Sequence, residues 1–345
     1  MSRCHSPHAL TEAQQRDFHR DGFVGPLPRF LDDEALARLR AEVEELVLQR
    51  RPHPLYGRFS MRDWHLAVPA MLEAFRHPAI VDRAVQILGE DLTLWRSKIF
   101  YKGPGAGPIE WHQDWGWFDG EEIGNARPSL SPSNPRGPSW DLSVWIALDD
   151  ITLHNGPLRF APGTQDTYYQ VAMVPMTESS FYQDPFVGDP DTHTIVERVR
   201  DGKLVFDVDT AHIFDGVDPH AMTRPQLEAH VRDALSRITA SVTIGFTPPP
   251  DDQAPPLTMQ RGDFVIFTER VMHESLPNRT QRSRVAVHAR ITSSDTLVHP
   301  FRLCGEHLDG HNLDITHHRC VLLHGRKRNR ANVYLDDSLP PAPRP

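Results

Sequence analysis

The chain has 345 residues, 39% of them hydrophobic and 24% charged, with a formal net charge of −9; this is a soluble globular composition, long enough to bury a substantial core. The acidic balance, with one short basic run at Gly325-Arg326-Lys327-Arg328-Asn329-Arg330, argues against a nucleic-acid partner, and no stretch approaches the ~18 apolar residues of a membrane span. Three cysteines (Cys4, Cys304, Cys320) without CxxC spacing, and a start lacking the apolar run of a secretory leader, point to the reducing cytoplasm.

Residues 1–91 read as a helical buttress. Thr11-Glu12-Ala13-Gln14 has capping-box spacing and Gly22 ends that helix. Leu36, Leu39, Val43, Leu46 and Val47 recur at helical spacing after the acidic Asp32-Asp33-Glu34. Pro78 opens a third helix that closes at Gly89.

From Leu92 the texture changes to short strands: Leu92–Trp95, Lys98–Tyr101, Leu142–Leu148, Leu204–Val208, Ser241–Phe246, Asp263–Phe267 and Arg284–Ile291. Many short strands with Gly/Pro punctuation favour a sandwich or barrel, and the absence of regular strand–helix alternation argues against a parallel α/β fold. The expected organisation is one domain over 1–345, with a β core at 92–295. Insertions at 116–140 and 166–260 interrupt the core, and residues 296–345 extend it at the C-terminus.

The motif that carries chemistry is Trp111-His112-Gln113-Asp114. Alternate residues of a strand share a face, which lets His112 and Asp114 approach one ion together. A second histidine, His273, follows the apolar run Phe264-Val265-Ile266-Phe267, and Arg284 comes eleven residues later. Two imidazoles and one carboxylate are the ligand set of non-haem Fe(II) oxygenases, which keep three coordination positions open. An arginine on the next strand is suited to grip the carboxylate of a co-substrate.

A lone His-x-Asp is weak evidence; His307-Leu308-Asp309 is another in a chain of twenty histidines. The strand from Arg284 puts Arg284, Ala286, His288 and Arg290 on one face and Val285, Val287, Ala289 and Ile291 on the other. That pattern suits a polar barrel interior or, equally, a solvent-facing edge; the spacing from His273 favours the interior. Only four basic residues are lysines (Lys98, Lys102, Lys203, Lys327), and two of them precede the metal motif.

Lys98-Ile99-Phe100-Tyr101-Lys102-Gly103-Pro104-Gly105 before the metal motif resembles the phytanoyl-CoA dioxygenase family. So do Asn155-Gly156-Pro157-Leu158, Pro162-Gly163-Thr164, and His273-x-Ser275-x-x-Asn278 followed by Arg284. The resemblance implies a mainly β fold with flanking helices, built on a double-stranded β-helix (jelly-roll, cupin-like) core. It makes His112, Asp114 and His273 the iron ligands and Arg284 the partner of the distal carboxylate of 2-oxoglutarate, assisted by Ser275. Lys98 and Trp145 fall at family positions that touch or line the co-substrate pocket, although alone they read as a surface lysine and a core tryptophan. Gln113, Lys102, Trp117 and His288 are expected behind the ligands or in the substrate pocket.

The cofactors implied are Fe(II), 2-oxoglutarate and O₂, with succinate and CO₂ released. The implied reaction is hydroxylation of a small metabolite, in the manner of bacterial natural-product tailoring enzymes. Desaturation, epoxidation or cyclisation share the same chemistry. Related halogenases lack the carboxylate that Asp114 supplies. A coenzyme A thioester is not expected, because no basic cluster awaits its phosphates. The acidic loop Asp119-Gly120-Glu121-Glu122 suits either solvent or an amine-bearing substrate. Two other classes compete: a cupin-like metalloenzyme that is no oxygenase, and a silent binding protein. Oligomeric state is not legible, and the histidines and cysteines beyond Thr292 fit no zinc pattern.

Overall fold

The computed structural model describes residues 6–114, 128–137, 139–178, 182–200, 210–309 and 313–335. In chain order the elements are α1 (Glu12–Asp21), β1 (Phe23–Leu27), α2 (Asp33–Leu48), α3 (Pro69–Arg76), α4 (Pro78–Leu88), β2 (Leu92–Lys102), β3 (Ile109–His112), β4 (Leu130–Ser131), β5 (Asp141–Ala147), β6 (Leu158–Ala161) and β7 (Val171–Pro175). There follow α5 (Thr192–Arg200), α6 (Arg224–Ser236), β8 (Thr239–Thr243), β9 (Phe264–Thr268), β10 (Met272–Ser275), β11 (Arg284–Ser293), β12 (Leu297–Val298) and β13 (Val321–His324).

The helix ends follow local chemistry. Thr11 and Gln14 form the reciprocal capping box of α1, and Gly22 closes that helix at φ 82°. Asp32 caps α2 by accepting from the Ala35 N–H at 2.7 Å. The apolar stripes of α2, α3 and α4 then pack on one face of a six-stranded antiparallel sheet, ordered β1-β9-β5-β11-β2-β13. Leu36, Leu39, Met71, Phe75 and Ile80 from the helices meet Ile99, Val144, Ile146, Phe264, Val285 and Val287 from the strands. This cluster is the main core.

The other face of that sheet looks into the barrel, closed by the three-stranded sheet β3-β10-β6. Trp145, Phe160, Val265, Phe267 and Ala286 fill the space between them. The two facing antiparallel sheets are the jelly roll. Strand β11 lies between β5 and β2, with His288 opposite both Trp145 and Lys98. Its polar face is therefore interior, and the solvent-edge alternative is excluded.

Several local expectations change. The first 91 residues are not wholly helical, because Phe23–Leu27 joins the sheet beside β9. Pro26 lacks an N–H, and β1 accordingly occupies the edge. The segments Leu92–Trp95 and Lys98–Tyr101 are one strand, β2, whose register shifts at Trp95. The strand expected at Ser241–Phe246 is β8, which stops at Thr243 and pairs with β7 outside the barrel. Gly245 and the prolines from Pro248 onward end its ladder. The expected strand Leu204–Val208 lies outside the described residues.

Residues between β6 and β9 carry a small core of their own, with Ile195, Val196 and Val199 of α5 against Leu227, Val231 and Leu235 of α6. The C-terminal extension adds β13 to the edge of the large sheet and pairs β12 with β4. Among the described residues no helix is long and apolar enough to cross a membrane.

Candidate metal and co-substrate site

His112 ends β3 and faces His273 of β10 directly across the small sheet. Their ring centroids are 4.2 Å apart. Asp114 does not sit on the strand. It lies two residues past His112, where its backbone N–H donates to Glu269 O at 2.9 Å. Convergence thus comes from the chain turning at the strand end, rather than from strand alternation alone. One ligand atom from each of His112, Asp114 and His273 lies within 4.8 Å of the others, and no second such group occurs among the described residues.

The tautomers suit an ion. His112 Nδ1 lies 2.7 Å from Glu110 O, and His273 Nδ1 lies 3.0 Å from Val271 O. Each Nδ1 then carries the proton, and each Nε2 keeps a bare lone pair. Burial pushes the His273 imidazole down to about 3, helped by neighbouring His112, and lowers His112 as well. Both rings are neutral near pH 7, the form that ligates metal. Burial alone would raise the Asp114 carboxyl, but Arg290, with His273 and His112, holds it well below the usual range. The set is a charged carboxylate with two neutral imidazoles.

The second half of the pocket is a row of polar atoms on the barrel interior. The Arg284 side chain is almost wholly buried, donating from Nη2 to Gly156 O at 2.7 Å and from Nε to Asn155 O at 3.4 Å. Its guanidinium carbon lies 5.2 Å from the Trp145 ring centroid. Arg284 Nη1, Ser275 Oγ, Trp145 Nε1 and both His288 ring nitrogens are buried without a hydrogen-bond partner. Buried donors left unmade cost about 1–3 kcal/mol each, and a dianionic keto-acid would satisfy the arginine, serine and indole donors. The donor set therefore fits 2-oxoglutarate. Burial lowers the Arg284 guanidinium to about 10, still a cation at neutral pH. Lys98, opposite His288, stands 4.7 Å above the Phe100 ring.

A family model described as phytanoyl-CoA dioxygenase (PhyH) matches residues 18–213 and 244–286, more than half of the chain. The chain belongs to the phytanoyl-CoA dioxygenase family. The matched segments of this family member contain His112, Asp114, His273, Ser275 and Arg284; residues beyond 286 lie outside them. It is 30% identical to an L-proline trans-4-hydroxylase of Streptomyces griseoviridis over 162 residues, 45% of this chain and 55% of that protein. An ectoine dioxygenase of Nocardia farcinica is 29% identical over 199 residues, 53% of this chain and 61% of that protein. The chain thus spans little more than half the length of these curated relatives. Among solved structures, CytC3 with Fe(II) and alpha-ketoglutarate superposes with a TM-score of 0.59 at 20% identity, covering 96% of this chain and 94% of that one. The apo form of the non-heme monooxygenase ThoJ gives 0.56 at 16% identity, covering 95% and 88%. These two likenesses establish the shared jelly-roll fold.

Two other expected residues of this PhyH-family site lie behind the ligands, where they hold loops. Gln113 turns away from the ligands: its amide N–H groups donate to Thr167 O at 2.8 Å and to Arg270 O, and its oxygen accepts from the Tyr169 N–H at 3.1 Å. It ties the His112–Asp114 segment to two loops. Lys102, fully buried opposite Arg284, donates to the backbone oxygens of Gly107 (2.8 Å), Leu276 (2.6 Å) and Ser275 (3.3 Å). Its ammonium is spent on holding loops, so it is a brace beside the pocket rather than a wall of it. Trp117, the acidic loop 119–122, Cys4 and His311 lie outside the described residues. The second His-x-Asp does not form part of the site; Asp309 pairs with buried Arg96 at 2.8 Å.

Sequence reasoning missed the contact behind the metal carboxylate. Arg290 Nη2 donates to Asp114 Oδ2, and Arg290 Nη1 lies 3.5 Å from Asp141 Oδ2. Asp141 is fully buried, with its Oδ1 receiving the Trp95 indole N–H at 2.8 Å. The alternation of β11 put Arg290 on the polar face; nothing in it named Asp114 as the partner.

Proposed function

We propose that the chain is an Fe(II)- and 2-oxoglutarate-dependent dioxygenase that hydroxylates an unactivated C–H bond of a small metabolite, releasing succinate and CO₂. The observation that carries this reading is the pairing of the two half-sites. Three metal-type ligand atoms within 4.8 Å stand beside a buried arginine with an unpaired N–H. His112, Asp114 and His273 would hold the ion, and Arg284 with Ser275 and the Trp145 indole would hold the co-substrate. When bound, ferrous iron with 2-oxoglutarate supplies the activation of O₂ that oxidises the C–H bond.

The chain's own residues bind, orient and exclude water. Backbone oxygens of Glu110 and Val271 fix the two imidazoles in their ligating tautomers. Phe100, Trp145 and Phe267 surround His288 and keep the interior dry. Relatives named for L-proline and ectoine support a small-metabolite substrate. The proposed setting is natural-product tailoring by a single domain in the reducing cytoplasm, where free Cys304 and Cys320 are at home.

Anaerobic addition of Fe(II) and then 2-oxoglutarate, read by the visible charge-transfer band of the chelate, tests the site. Succinate release on admitting O₂ tests the activity. Asp114→Ala is expected to lose both signals, whereas Arg284→Gln keeps metal binding and needs far more 2-oxoglutarate. Undiminished succinate release from Asp114→Ala would refute the assignment.

A further inference from the structure

We propose that Arg290 is a positioning residue that occupies one oxygen of the metal carboxylate, so that Asp114 binds the ion through the other oxygen alone. The inference rests on the metal reading above and adds a determinant to it.

Its geometry is built from the sheet upward. Arg290 is six residues beyond Arg284 on the interior face of β11, about 20 Å along the strand. The two arginines therefore serve opposite sides of the site. Arg284 faces the co-substrate end, with Gly156 O and Asn155 O as its anchors. The Arg290 fork spans two acids, Nη2 on Asp114 Oδ2 and Nη1 towards Asp141 Oδ2. Asp141 cannot follow a movement of the arginine, because the Trp95 indole N–H holds its other oxygen. Asp114 is pinned at its backbone by Glu269 O. A guanidinium fixed from behind and a carboxylate fixed at its root leave Asp114 Oδ2 committed.

The consequence concerns coordination count. Two imidazoles and a single carboxylate oxygen take three positions of an octahedral ion and leave three open, two for a chelating keto-acid and one for O₂. A carboxylate free to chelate with both oxygens takes a fourth and competes with the co-substrate. The guanidinium prevents that, because a charge-assisted hydrogen bond on Oδ2 is among the stronger hydrogen bonds a protein makes. Residues behind a metal's ligands orient them in this way, and their loss commonly costs ten-fold or more in affinity or activity. Arg290 lies beyond the segments matched by the family model.

The test uses the full chain with Ni(II) alone as an O₂-inert probe. Crystal structures of the Ni(II)-loaded wild type and of Arg290→Met read the coordination directly. The wild type is expected to bind through one Asp114 oxygen and the variant through both. In anaerobic Fe(II) titrations, Arg290→Met is expected to bind metal as tightly as the wild type or more tightly, while half-development of the chelate band needs about ten-fold more 2-oxoglutarate. Arg290→Lys, which keeps a cationic donor at Oδ2, is expected to restore single-oxygen binding and most of the co-substrate affinity. A general packing role for Arg290 predicts no such split between metal and co-substrate.

If leaving the buried Asp141 carboxyl unpaired prevents Arg290→Met from folding, the pairing Arg290→Met with Asp141→Asn replaces it with a neutral amide and carries the same expectation. Identical Asp114 coordination in wild type and variant overturns the proposal, as does unchanged 2-oxoglutarate affinity. Ni(II) absent from His112, Asp114 and His273 in the wild type would instead bring down the metal reading itself.

Discussion

Gly156→Ala would press on the co-substrate arginine without touching it chemically. Gly156 has φ +89°, and a Cβ there would lie 2.8 Å from Lys102 Cδ, 2.9 Å from Leu276 O and 3.2 Å from Arg284 Nη2. None of the three can step aside cheaply. Lys102 is anchored at Nζ by Gly107 O, Ser275 O and Leu276 O, Leu276 O is backbone, and Arg284 is bonded to the oxygen of Gly156 itself. The positive φ costs alanine about 1–2 kcal/mol, and forcing a methyl into this packing adds about 1–3 kcal/mol. The expected loss of folding stability is therefore about 2–5 kcal/mol in urea denaturation. Displacing the guanidinium should also weaken 2-oxoglutarate binding on the order of ten- to a hundred-fold in the anaerobic titration. Gly105→Ala is the control: φ is +73° with nothing within 4 Å of its Cβ, so it meets only the backbone cost and leaves the co-substrate affinity alone. Equal behaviour of the two variants would show that close approach at Gly156 is irrelevant to Arg284.

Two further outcomes concern stability. Asp309→Ala strands Arg96, buried against Asp309 at 2.8 Å, with Asp63 at 3.8 Å as its remaining acidic partner among the described residues; a loss of about 3 kcal/mol is expected in denaturation, with Ni(II) affinity at the triad unchanged. The protein should also lose stability between pH 7.5 and pH 5. Burial pushes His65 and His273 down to about 3 and His318 to about 4. In the unfolded chain these imidazoles titrate near 6.5. Above that pH both states are neutral and stability is full; as pH falls towards the folded values, protons bind only the unfolded chain. Each such histidine removes at most about 1.4 kcal/mol per pH unit. Asp63, lowered to about 2 by Arg96 against the opposing effect of burial, acts in a separate window: its contribution is present above its unfolded value and vanishes as pH falls through about 2. Denaturation curves that superimpose at pH 7.5 and pH 5 would contradict the histidine argument.

Local pattern made a good part of this protein legible. The caps at Thr11 and Asp32, the Pro at the start of α4 and the apolar stripe of α2 are signals within one turn of helix. The alternation of Arg284–Ile291 divided the strand into a polar and an apolar face before any neighbour was known, and the spacing from His273 favoured the interior for the polar one. His112, Asp114, His273 and Arg284 stood out because ligand type and spacing are properties of the linear chain. Resemblance to a known family joined them into one site.

Contacts between remote residues left no such mark. Nothing near Phe23–Leu27 says that it pairs with β9, and nothing near Arg290 or Asp309 names Asp114 or Arg96. Those partnerships depend on sheet register and on where long connections return. Lys102 shows the same limit: its scarcity drew attention, yet three backbone oxygens delivered by other loops decide its work. Amino-acid order by itself determined which side chains are available and which face of each element they occupy, since helical and strand periods are short-range. Only the folded barrel decided which of them meet, because hydrogen bonds and ion pairs act over a few ångströms between segments separated by more than two hundred residues.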